Sequence, residues 1–413
     1  MKQLLLFLTL VSYTLDATNL LVKEYGVNNT YETIQSAIDA SSHGDTIIVY
    51  DKPSGQMWEE NLTISKEIFL VNSDQGDFDR LDGSIEVVPS PGLTFNFRNI
   101  NLEHYEIFAN SGVDSLLDRC TINIVNCVFR RAKFNQDGLA VNLYGNHIKH
   151  LELRHGQIIH NRLNFLRIYE DDENQNDSLI IIANRHWDHE LTMWINTKAS
   201  LRVFNNYFRC DMDNGNTNGH NYIEGGSKTW SEHSKSWVAF LYIENCNSER
   251  LNFIENNSMH AWDHHPYYPS YIKIENNSKF NIVNNYMMWD NNDATKTICG
   301  GDQDNSFISH NHWNLEHTYC WPDVNNEYNK NENCVNFDTS YGRNQCSSND
   351  GHYLPKYNDI DLSRNDTGTD GGSYSINNYE NQSGDARIYY LDVPNFVNLP
   401  QEINIKGSGA IVD

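Results

Sequence analysis

One short pattern of apolar and polar residues recurs along most of the chain. An apolar residue comes first, Asn or His follows two positions after it, Asn often follows at three, and another apolar residue stands five positions after the first, as in VFNNYF at 203–208. The pattern recurs at 124–129, 158–163, 182–187, 254–259, 282–287 and 308–313, and more loosely at 97–102 and 143–148. With the 51-residue interval after position 203 counted as two units, the spacing is about 25 residues, which predicts stacked repeats.

These repeats predict short strands. Helix pairs need roughly 34 residues or more per unit, whereas these units are shorter and rich in β-branched residues. Asn tolerates the left-handed backbone of a sharp bend, and stacked Asn side chains can hydrogen-bond into a ladder. We therefore expect an all-β, single-stranded parallel β-helix of about twelve coils, with Asn184, Asn205, Asn256 and Asn284 on one line inside it. An Asn-rich low-complexity chain is the alternative, although Asn there would not keep its register with Ile, Phe and Trp.

The first 17 residues predict a signal peptide. Lys2 precedes an apolar run from Leu4 to Val11, and small or polar residues follow by Ala17. That run is too short to span a bilayer, and no later apolar run is long enough for a transmembrane helix. We expect a secreted protein, extracellular or periplasmic, with no membrane span.

Residues 29–50 predict a helix followed by a strand. Asn29 and Glu32 fit a capping box, an apolar stripe follows, and 43–44 would end the helix, which gives a helix at about 30–42 and a strand over 46–50. The stripe consists of Ile34, Ala37 and Ile38. Such a helix would cover the open N-terminal end of a solenoid, whose unpaired backbone groups would otherwise template aggregation.

Two stretches resemble a known superfamily. TIQSAIDASSHGDTIIVY at 33–50, followed by ENLTISKEIFLVNSD at 60–74, resembles the start of the pectin lyase-like β-helix superfamily. Residues 359–372 are similar to the closing segment of many secreted bacterial β-helix proteins, with departures at Leu362, Thr369 and Asp370. The resemblance implies a right-handed parallel β-helix with an N-terminal capping helix. The active-site signatures of polygalacturonases, pectin methylesterases and pectate lyases are not found, so the resemblance leaves the reaction type open.

The rest of the chain divides into three parts. We expect the β-helix over 18–320, an irregular Asn-rich segment over 321–380, and a small C-terminal β module over 381–413. Eight cysteines fit an oxidising compartment and allow 105 pairings. The expected disulfides are Cys299 with Cys320 and Cys334 with Cys346, whereas Cys127 occupies the second Asn position of its repeat and is expected to be a buried thiol.

Charge limits the classes of partner. The formal net charge is −25, which argues against nucleic acid and anionic membranes. It also makes an anionic polysaccharide a poor ligand unless cations intervene. We expect a monomer whose partner is an extracellular polysaccharide.

The candidate chemistry follows the repeat motifs. An acidic residue recurs just beyond four of them, often beside Trp or His. If coils stack, residues at one offset form a column about 4.8 Å apart, and bare carboxylates in it would repel each other. The candidate catalytic residues are Asp188, His189, Asp263, His264 and Asp290. The candidate substrate-binding residues are Trp187, Trp230, Trp262 and Trp289, with Trp230 on the long interruption at 209–237. The candidate metal ligands are Asp211 and Asp213.

Three interpretations of these residues stay open. Carboxylates on neighbouring coils could act as acid and base in glycan cleavage, with Trp as sugar platforms. Asp211 and Asp213 could hold Ca²⁺, although Tyr222 stands where an EF-hand loop has Glu. The aromatic residues could instead fill the core while Asp and Asn shape turns. A zinc site at Asp263, His264 and His265 is a further option, but adjacent histidines rarely point at one ion.

The expected function is binding or processing of an extracellular polysaccharide in a side groove, as a polysaccharide lyase or glycoside hydrolase. Whether the protein is an enzyme is left open by the sequence. No cofactor other than Ca²⁺ is indicated. The alternative is a noncatalytic surface, adhesive or structural β-solenoid.

Overall fold

A computed structural model gives the fold of the chain. It describes residues 17–25, 30–52, 56–73, 81–113, 118–170, 178–187, 193–211, 239–247, 249–262, 270–275, 278–289, 296–302, 305–313, 334–335, 368, 372, 374–375, 386–392 and 406–411. At 187, 209–211, 239–240, 260–262, 270–271, 288–289, 296–297, 299, 312–313, 334–335, 386–392 and 406–411 it describes the backbone alone.

The described residues form strands and one short helix. The elements up to residue 144 are β1 Asn19–Val22, β2 Thr30–Tyr31, α1 Ile34–Ala40, β3 Asp45–Val49, β4 Leu62–Ile64, β5 Ile68–Asn72, β6 Ile85–Val87, β7 Thr94–Arg98, β8 Asn101–Ala109, β9 Cys120–Val125, β10 Val128–Phe134 and β11 Leu139–Tyr144. The next strands are β12 His147–Leu153, β13 Gly156–Ile159, β14 Arg162–Ile168, β15 Ser178–Ile182, β16 Arg185–Trp187, β17 Met193–Asn196, β18 Ser200–Phe204, β19 Tyr207–Asp211 and β20 Ala239–Glu244. The last strands are β21 Asn252–Glu255, β22 Ser258–Trp262, β23 Ser270–Ile274, β24 Phe280–Val283, β25 Tyr286–Trp289, β26 Lys296–Gly300, β27 Phe307–Ser309, β28 His312–Trp313, β29 Cys334–Val335, β30 Ala386–Asp392 and β31 Lys406–Ile411.

Nearly all of these strands belong to two parallel sheets. The first sheet has thirteen strands in the order β2-β1-β3-β5-β7-β9-β11-β13-β15-β18-β21-β24-β27. The second has sixteen, with the order β4-β6-β8-β10-β12-β14-β16-β19-β22-β25-β28-β29 and a branch β14-β17-β20-β23-β26. The chain alternates between the sheets and advances by one strand in each coil, so the predicted parallel β-helix architecture is confirmed.

The core lies between the sheets because each strand points alternate residues inward. In β11, Leu139, Val141 and Leu143 are buried, whereas the residues between them are partly exposed. Val141 pairs with Ile122 of β9, so aliphatic residues lie directly on one another from coil to coil. The period of two in the sequence therefore becomes continuous apolar columns, whose burial stabilises the stack.

A ladder of buried asparagines runs along one inner corner. Nδ2 of each Asn donates to Oδ1 of the next Asn at 2.9–3.0 Å. The members are Asn146, Asn161, Asn184, Asn206, Asn257, Asn285 and Asn311, all 0–2% exposed. Cys127 precedes them, and its backbone N–H donates to Oδ1 of Asn146 at 2.8 Å. Its side chain is a free, buried thiol, as predicted.

The residue before each ladder position makes the bend itself. Backbone φ is +67° at Gly145 and between +53° and +59° at Asn126, His160, Ala183, Asn205, Asn256, Asn284 and His310. Asn99, at the same corner of the coil before Asn126, has φ of +56°. The predicted line of Asn184, Asn205, Asn256 and Asn284 is therefore two lines one residue apart, with Asn184 on the ladder and the other three at bends. The predicted motif at 182–187 is shifted by one residue, because Ile181, and not Ile182, pairs with Val203. The buried His186 therefore occupies the position that Phe208 has on the next coil.

The 51-residue interval after Val203 is one coil, so counting it as two units was wrong. Val203 pairs directly with Ile254, and the Nδ2 of Asn206 donates to Oδ1 of Asn257 at 3.0 Å. The extra residues leave the second sheet after β19 and return at β20. A stacked coil tolerates such an insertion because its flanking strands keep their register.

Helix α1 is held against the N-terminal coil at both of its ends. Thr33 is the N-cap, and the Glu60 carboxylate accepts from the backbone N–H groups of Ile34 and Gln35 at 2.9 Å. The Lys66 ammonium donates to the carbonyls of Ile38, Asp39 and Ser41. A carboxylate at the N-terminus and an ammonium at the C-terminus both match the helix dipole.

The helix is shorter than the predicted span of about 30–42. Thr30–Tyr31 instead pairs with β1 as a strand, and the helix ends at Ala40. Its buried residues are the predicted Ile34, Ala37 and Ile38, while the predicted capping residue Asn29 lies outside the described residues.

The solenoid pairing continues beyond residue 320, where the β-helix was expected to end. Cys334–Val335 forms β29 and pairs with β28. Farther along the chain, the Gly368 N–H donates to the Asn284 carbonyl at 2.7 Å. The Tyr374 ring stacks on Phe204 with centroids 5.4 Å apart. Gly368 and Tyr374 therefore lie against the solenoid, and β30 with β31 forms an antiparallel pair within the predicted C-terminal module.

The structure describes the side chains of three cysteines. Cys120, Cys127 and Cys246 are free and buried. Of the cysteines in the predicted disulfides, only the backbones of Cys299 and Cys334 are described; Cys320 and Cys346 lie outside the described residues.

No helix in the described ranges is long and apolar enough to cross a membrane.

Candidate functional site

Four consecutive coils carry an insertion at the same place on the second sheet. In β14, three residue steps lead from Leu163 to Leu166 without a break. The paired positions on the next coils are seven, 33, 13 and 11 steps apart, from His186 to Met193, Phe208 to Leu241, Met259 to Ile272 and Met287 to Ile298. The insertions therefore leave and rejoin neighbouring strands along one line, which we call the insertion line.

Most of the predicted site residues belong to these insertions. Asp188, His189, Asp213, Trp230, Asp263, His264 and Asp290 lie outside the described residues. The backbones of Trp187, Asp211, Trp262 and Trp289 are described at the starts of the insertions. The structure thus brings the starts of the predicted segments together, while the convergence of the predicted carboxylates stays a prediction.

The tryptophans at the starts do not share one register. Trp187 pairs with Arg209, whereas Trp262 pairs with Asp211 and Trp289 pairs with Ala261. The three positions therefore fall on three different rows of the sheet. Similar spacing after the motif does not give equivalent positions, because the motif at 182–187 is out of register and the tryptophans follow the paired apolar residues at different distances.

A column of cations and aromatic rings stands where the insertions rejoin the sheet. Arg167, Trp194, Tyr242 and Lys273 are paired in sequence from coil to coil. The Arg167 guanidinium lies 3.9 Å from the centre of the Trp194 ring and 4.4 Å from that of Tyr169. Trp194 meets Tyr242 edge-on, and the Lys273 ammonium lies 5.4 Å from the centre of the Tyr242 ring. Cation–π contacts of this kind stabilise neighbouring coils.

Two glutamates fix the polar ends of the rings. Glu244 accepts from the Trp194 indole at 2.7 Å and from the Tyr242 hydroxyl at 3.1 Å. Glu275, on the next coil, also hydrogen-bonds to Tyr242. Burial, followed by these carboxylates, raises the pKa of Tyr242 far above its ordinary value. The phenol therefore stays protonated and acts as a hydrogen-bond donor.

The column was missed by the sequence reasoning, although the sequence carries a signal for it. Each of its residues stands between two buried apolar residues, as in Leu166-Arg167-Ile168 and Met193-Trp194-Ile195. The later examples are Leu241-Tyr242-Ile243 and Ile272-Lys273-Ile274. The motif spacing does not reveal these triplets, because insertions of different length separate them from the Asn corner.

A buried histidine lies just before the first insertion. His186 occupies an apolar core position between Leu163 and Phe208 and is 2% exposed. Its ring stacks on Phe208 at 4.7 Å, and Nε2 has no hydrogen-bond partner among the described residues. Burial lowers the pKa of His186 to about 3, so the imidazole is neutral in the folded protein.

This histidine should make the fold sensitive to acid. The unfolded state takes up the proton near the ordinary pKa of about 6.5, whereas the folded state does so only near 3, so stability falls as pH drops from 6.5 to 3. The loss is about 1.4 kcal/mol per pH unit within that window. His186→Leu should therefore gain stability over the native chain by roughly 2–3 kcal/mol more at pH 4.5 than at pH 7.5.

Urea unfolding of both proteins at the two pH values measures this difference. His104→Gln, at an exposed position, is the control and should leave it unchanged. An equal effect of His186→Leu at both pH values would contradict the assignment of His186 as a buried neutral group.

No metal centre is found in the described part of the chain. No group of three or more His, Cys, Asp or Glu side chains there is arranged to hold an ion. The predicted Ca²⁺ ligand Asp213 lies outside the described residues, and only the backbone of Asp211 is described.

Comparison of the chain with family models, with curated proteins and with solved structures gives no match in any of the three.

Proposed function

We propose that this protein is a secreted β-solenoid that binds an extracellular polysaccharide along the insertion line. The observation that carries the proposal is the alignment of four insertions on consecutive coils beside the cation–aromatic column. Loops on a rigid scaffold are a common place for binding sites. The four insertions are rich in Trp, Tyr, His, Asp and Asn. The aromatic rings can stack on sugar rings, and the polar groups can hydrogen-bond to sugar hydroxyl groups.

We also propose the handedness of the solenoid, its number of coils and its superfamily. We propose a right-handed solenoid of about twelve coils, related to the pectin lyase-like superfamily. The handedness is supported by a general rule: connections between parallel strands of one sheet are right-handed in about 98% of cases. The number of coils is supported by the first sheet, to which each coil from β1 to β27 contributes one strand. The N-terminal resemblance and the helix over the first coils support the relationship. The apolar run from Leu4 to Val11 supports export.

The longest insertion allows a direct test of this function. Replacing residues 215–235 by a short Gly-Ser linker should leave the solenoid folded, because the pairs Phe208 with Met259 and Leu241 with Ile272 lie outside the change. Binding to polysaccharide should fall by at least about tenfold, since ligand contacts worth 1.4 kcal/mol or more would be lost. Affinity gel electrophoresis against a panel of soluble polysaccharides measures the binding, and circular dichroism checks the fold.

The matched control shortens a different insertion. Residues 171–177 belong to the connection from β14 to β15, which leads to the first sheet, and not to an insertion within the second sheet. Their replacement by a similar linker should leave binding unchanged. Equal binding by both variants and the native chain would contradict a site at the insertion line. Release of reducing ends in the same samples, and its loss in Asp263→Asn, would separate an enzyme from a noncatalytic surface or adhesive protein.

A further inference from the structure

We infer that a short segment near the C-terminus, residues 368–375, is a clamp that holds together the three coils with the longest insertions. Of this segment the structure describes Gly368, Gly372, Tyr374 and Ser375. Their contacts with the solenoid reach three consecutive coils. The inference concerns how these coils are kept closed, and it does not depend on the proposed function.

Gly368 fits closely against two of these coils. Its N–H donates to the Asn284 carbonyl at 2.7 Å. A Cβ at position 368 would lie 2.5 Å from the Ser258 Oγ and 3.1 Å from the Tyr286 Cβ, and the residue has φ of +85°. Ser258 and Tyr286 begin β22 and β25, the strands from which two of the insertions leave. This close approach therefore requires glycine, which has no Cβ and tolerates a positive φ.

Tyr374 lies on the coil before these two. Its ring is stacked on that of Phe204, with the centroids 5.4 Å apart and the ring planes 2° from parallel. Phe204 ends β18, and the next strand, β19, leads into the longest insertion. The Ser375 N–H donates to the Gly372 carbonyl at 3.2 Å, and Ser375 is 7% exposed. Both ends of the clamp are therefore in contact with the solenoid.

An outer row of the first sheet is covered where the clamp lies. The row consists of residues paired on five consecutive coils in the order Val125, Tyr144, Ile159, Ile182 and Phe204. The first two are partly exposed, whereas the last three are 0–6% exposed. These three belong to an apolar cluster separate from the inner core, and Tyr374 packs against it. Because this row points away from the inner core, its burial requires a cover, to which Tyr374 contributes.

The coils that the clamp contacts have an interrupted second sheet. In the coil before the insertions, β14 is unbroken from Arg162 to Ile168, whereas an insertion divides the equivalent stretch of each of the next four coils into two strands. Chain entropy favours the opening of a coil that carries a long insertion, so local opening costs less free energy there. The clamp opposes this opening, since none of its three coils can leave the stack without losing a contact with it.

Hydrogen–deuterium exchange of the full chain, measured by mass spectrometry of its peptides, tests the inference. Tyr374→Ala removes the stacked ring, and Gly368→Ala introduces the collision with Ser258. In both variants the amides of β18, β21 and β24 should exchange on the order of tenfold faster than in the native chain. The amides of β9 and β11, on coils without an insertion, should keep their rates. No acceleration in β18, β21 and β24, or an equal acceleration in β9 and β11, would overturn the inference.

Two substitutions are the matched controls. Tyr374→Phe keeps the ring that stacks on Phe204. Gly44→Ala has the same backbone strain as Gly368→Ala without the collision, because Gly44 has φ of +90° and no atom lies within 4 Å of an added Cβ. Neither control should accelerate exchange in β18, β21 and β24. An acceleration in a control as large as that in its partner variant would also overturn the inference, because the contacts of the clamp would then not be its cause.

Discussion

Replacing Asn206 by Ala is expected to lower the free energy of unfolding by about 3–5 kcal/mol, because buried hydrogen-bonding groups lose their partners in the core. The Asn206 Nδ2 donates to the carbonyls of Ile181 and Phe204 and to the Oδ1 of Asn257. Its Oδ1 accepts from the backbone N–H and the Nδ2 of Asn184. The side chain is fully buried, so water cannot replace these contacts. Urea unfolding followed by circular dichroism measures the change.

An outer asparagine is the matched control. Asn123 donates to Asn96 and accepts from Asn142, both at 2.9 Å, but these side chains are partly exposed on the outside of the first sheet. Water can take over their hydrogen bonds, so Asn123→Ala should cost about 1 kcal/mol or less. Similar costs for the two substitutions would show that the inner ladder is not a buried network.

Gly156→Ala is expected to cost about 3–5 kcal/mol, because the new methyl group would collide with the backbone of the neighbouring coil. A Cβ at this position would lie 1.8 Å from the Val141 carbonyl oxygen, and the residue has φ of +147°. The return from β12 to β13 passes only through Arg154 and His155, so the chain has little slack with which to move away. Thermal and urea unfolding of the variant measure the loss.

Gly145→Ala, eleven positions earlier, is the control for this substitution. Gly145 has φ of +67°, and the nearest atom to an added Cβ is the Asn126 nitrogen at 4.0 Å. Only the left-handed backbone conformation then disfavours the added methyl group, so Gly145→Ala should lower the free energy of unfolding by about 1 kcal/mol. An equally small effect at Gly156 would mean that these two coils are not as close as described.

The sequence predicted the architecture because its strongest signal, the recurring Asn, lies at the corner where the fold constrains the residue type most. An Asn beside the bend can satisfy the buried backbone groups of the corner, so the motif recurs wherever a coil turns. The prediction failed at 182–187, because four aliphatic residues, 179–182, precede Ala183 and His186 replaces an apolar residue, so several registers fit the motif equally well. Only the pairing of Ile181 with Val203 decides between them.

The length of the long coil could not be predicted from spacing. A solenoid adds residues outside its core without changing the stack, so the number of residues between Val203 and Ile254 does not reveal the number of coils. The same freedom explains the candidate site. Its segments were found from composition, whereas the column of Arg167, Trp194 and Tyr242 depends on pairing across coils that are far apart in sequence.

The most direct test of this account is a double-mutant cycle on Asn206 and Asn257. If the 51-residue interval is one coil, the two side chains share a hydrogen bond of 3.0 Å. Removing both should then cost about 1–2 kcal/mol less than the sum of the single Ala substitutions. Additive costs, within about 0.5 kcal/mol, would place another coil between the two asparagines and contradict the stacking from which the insertion line is derived.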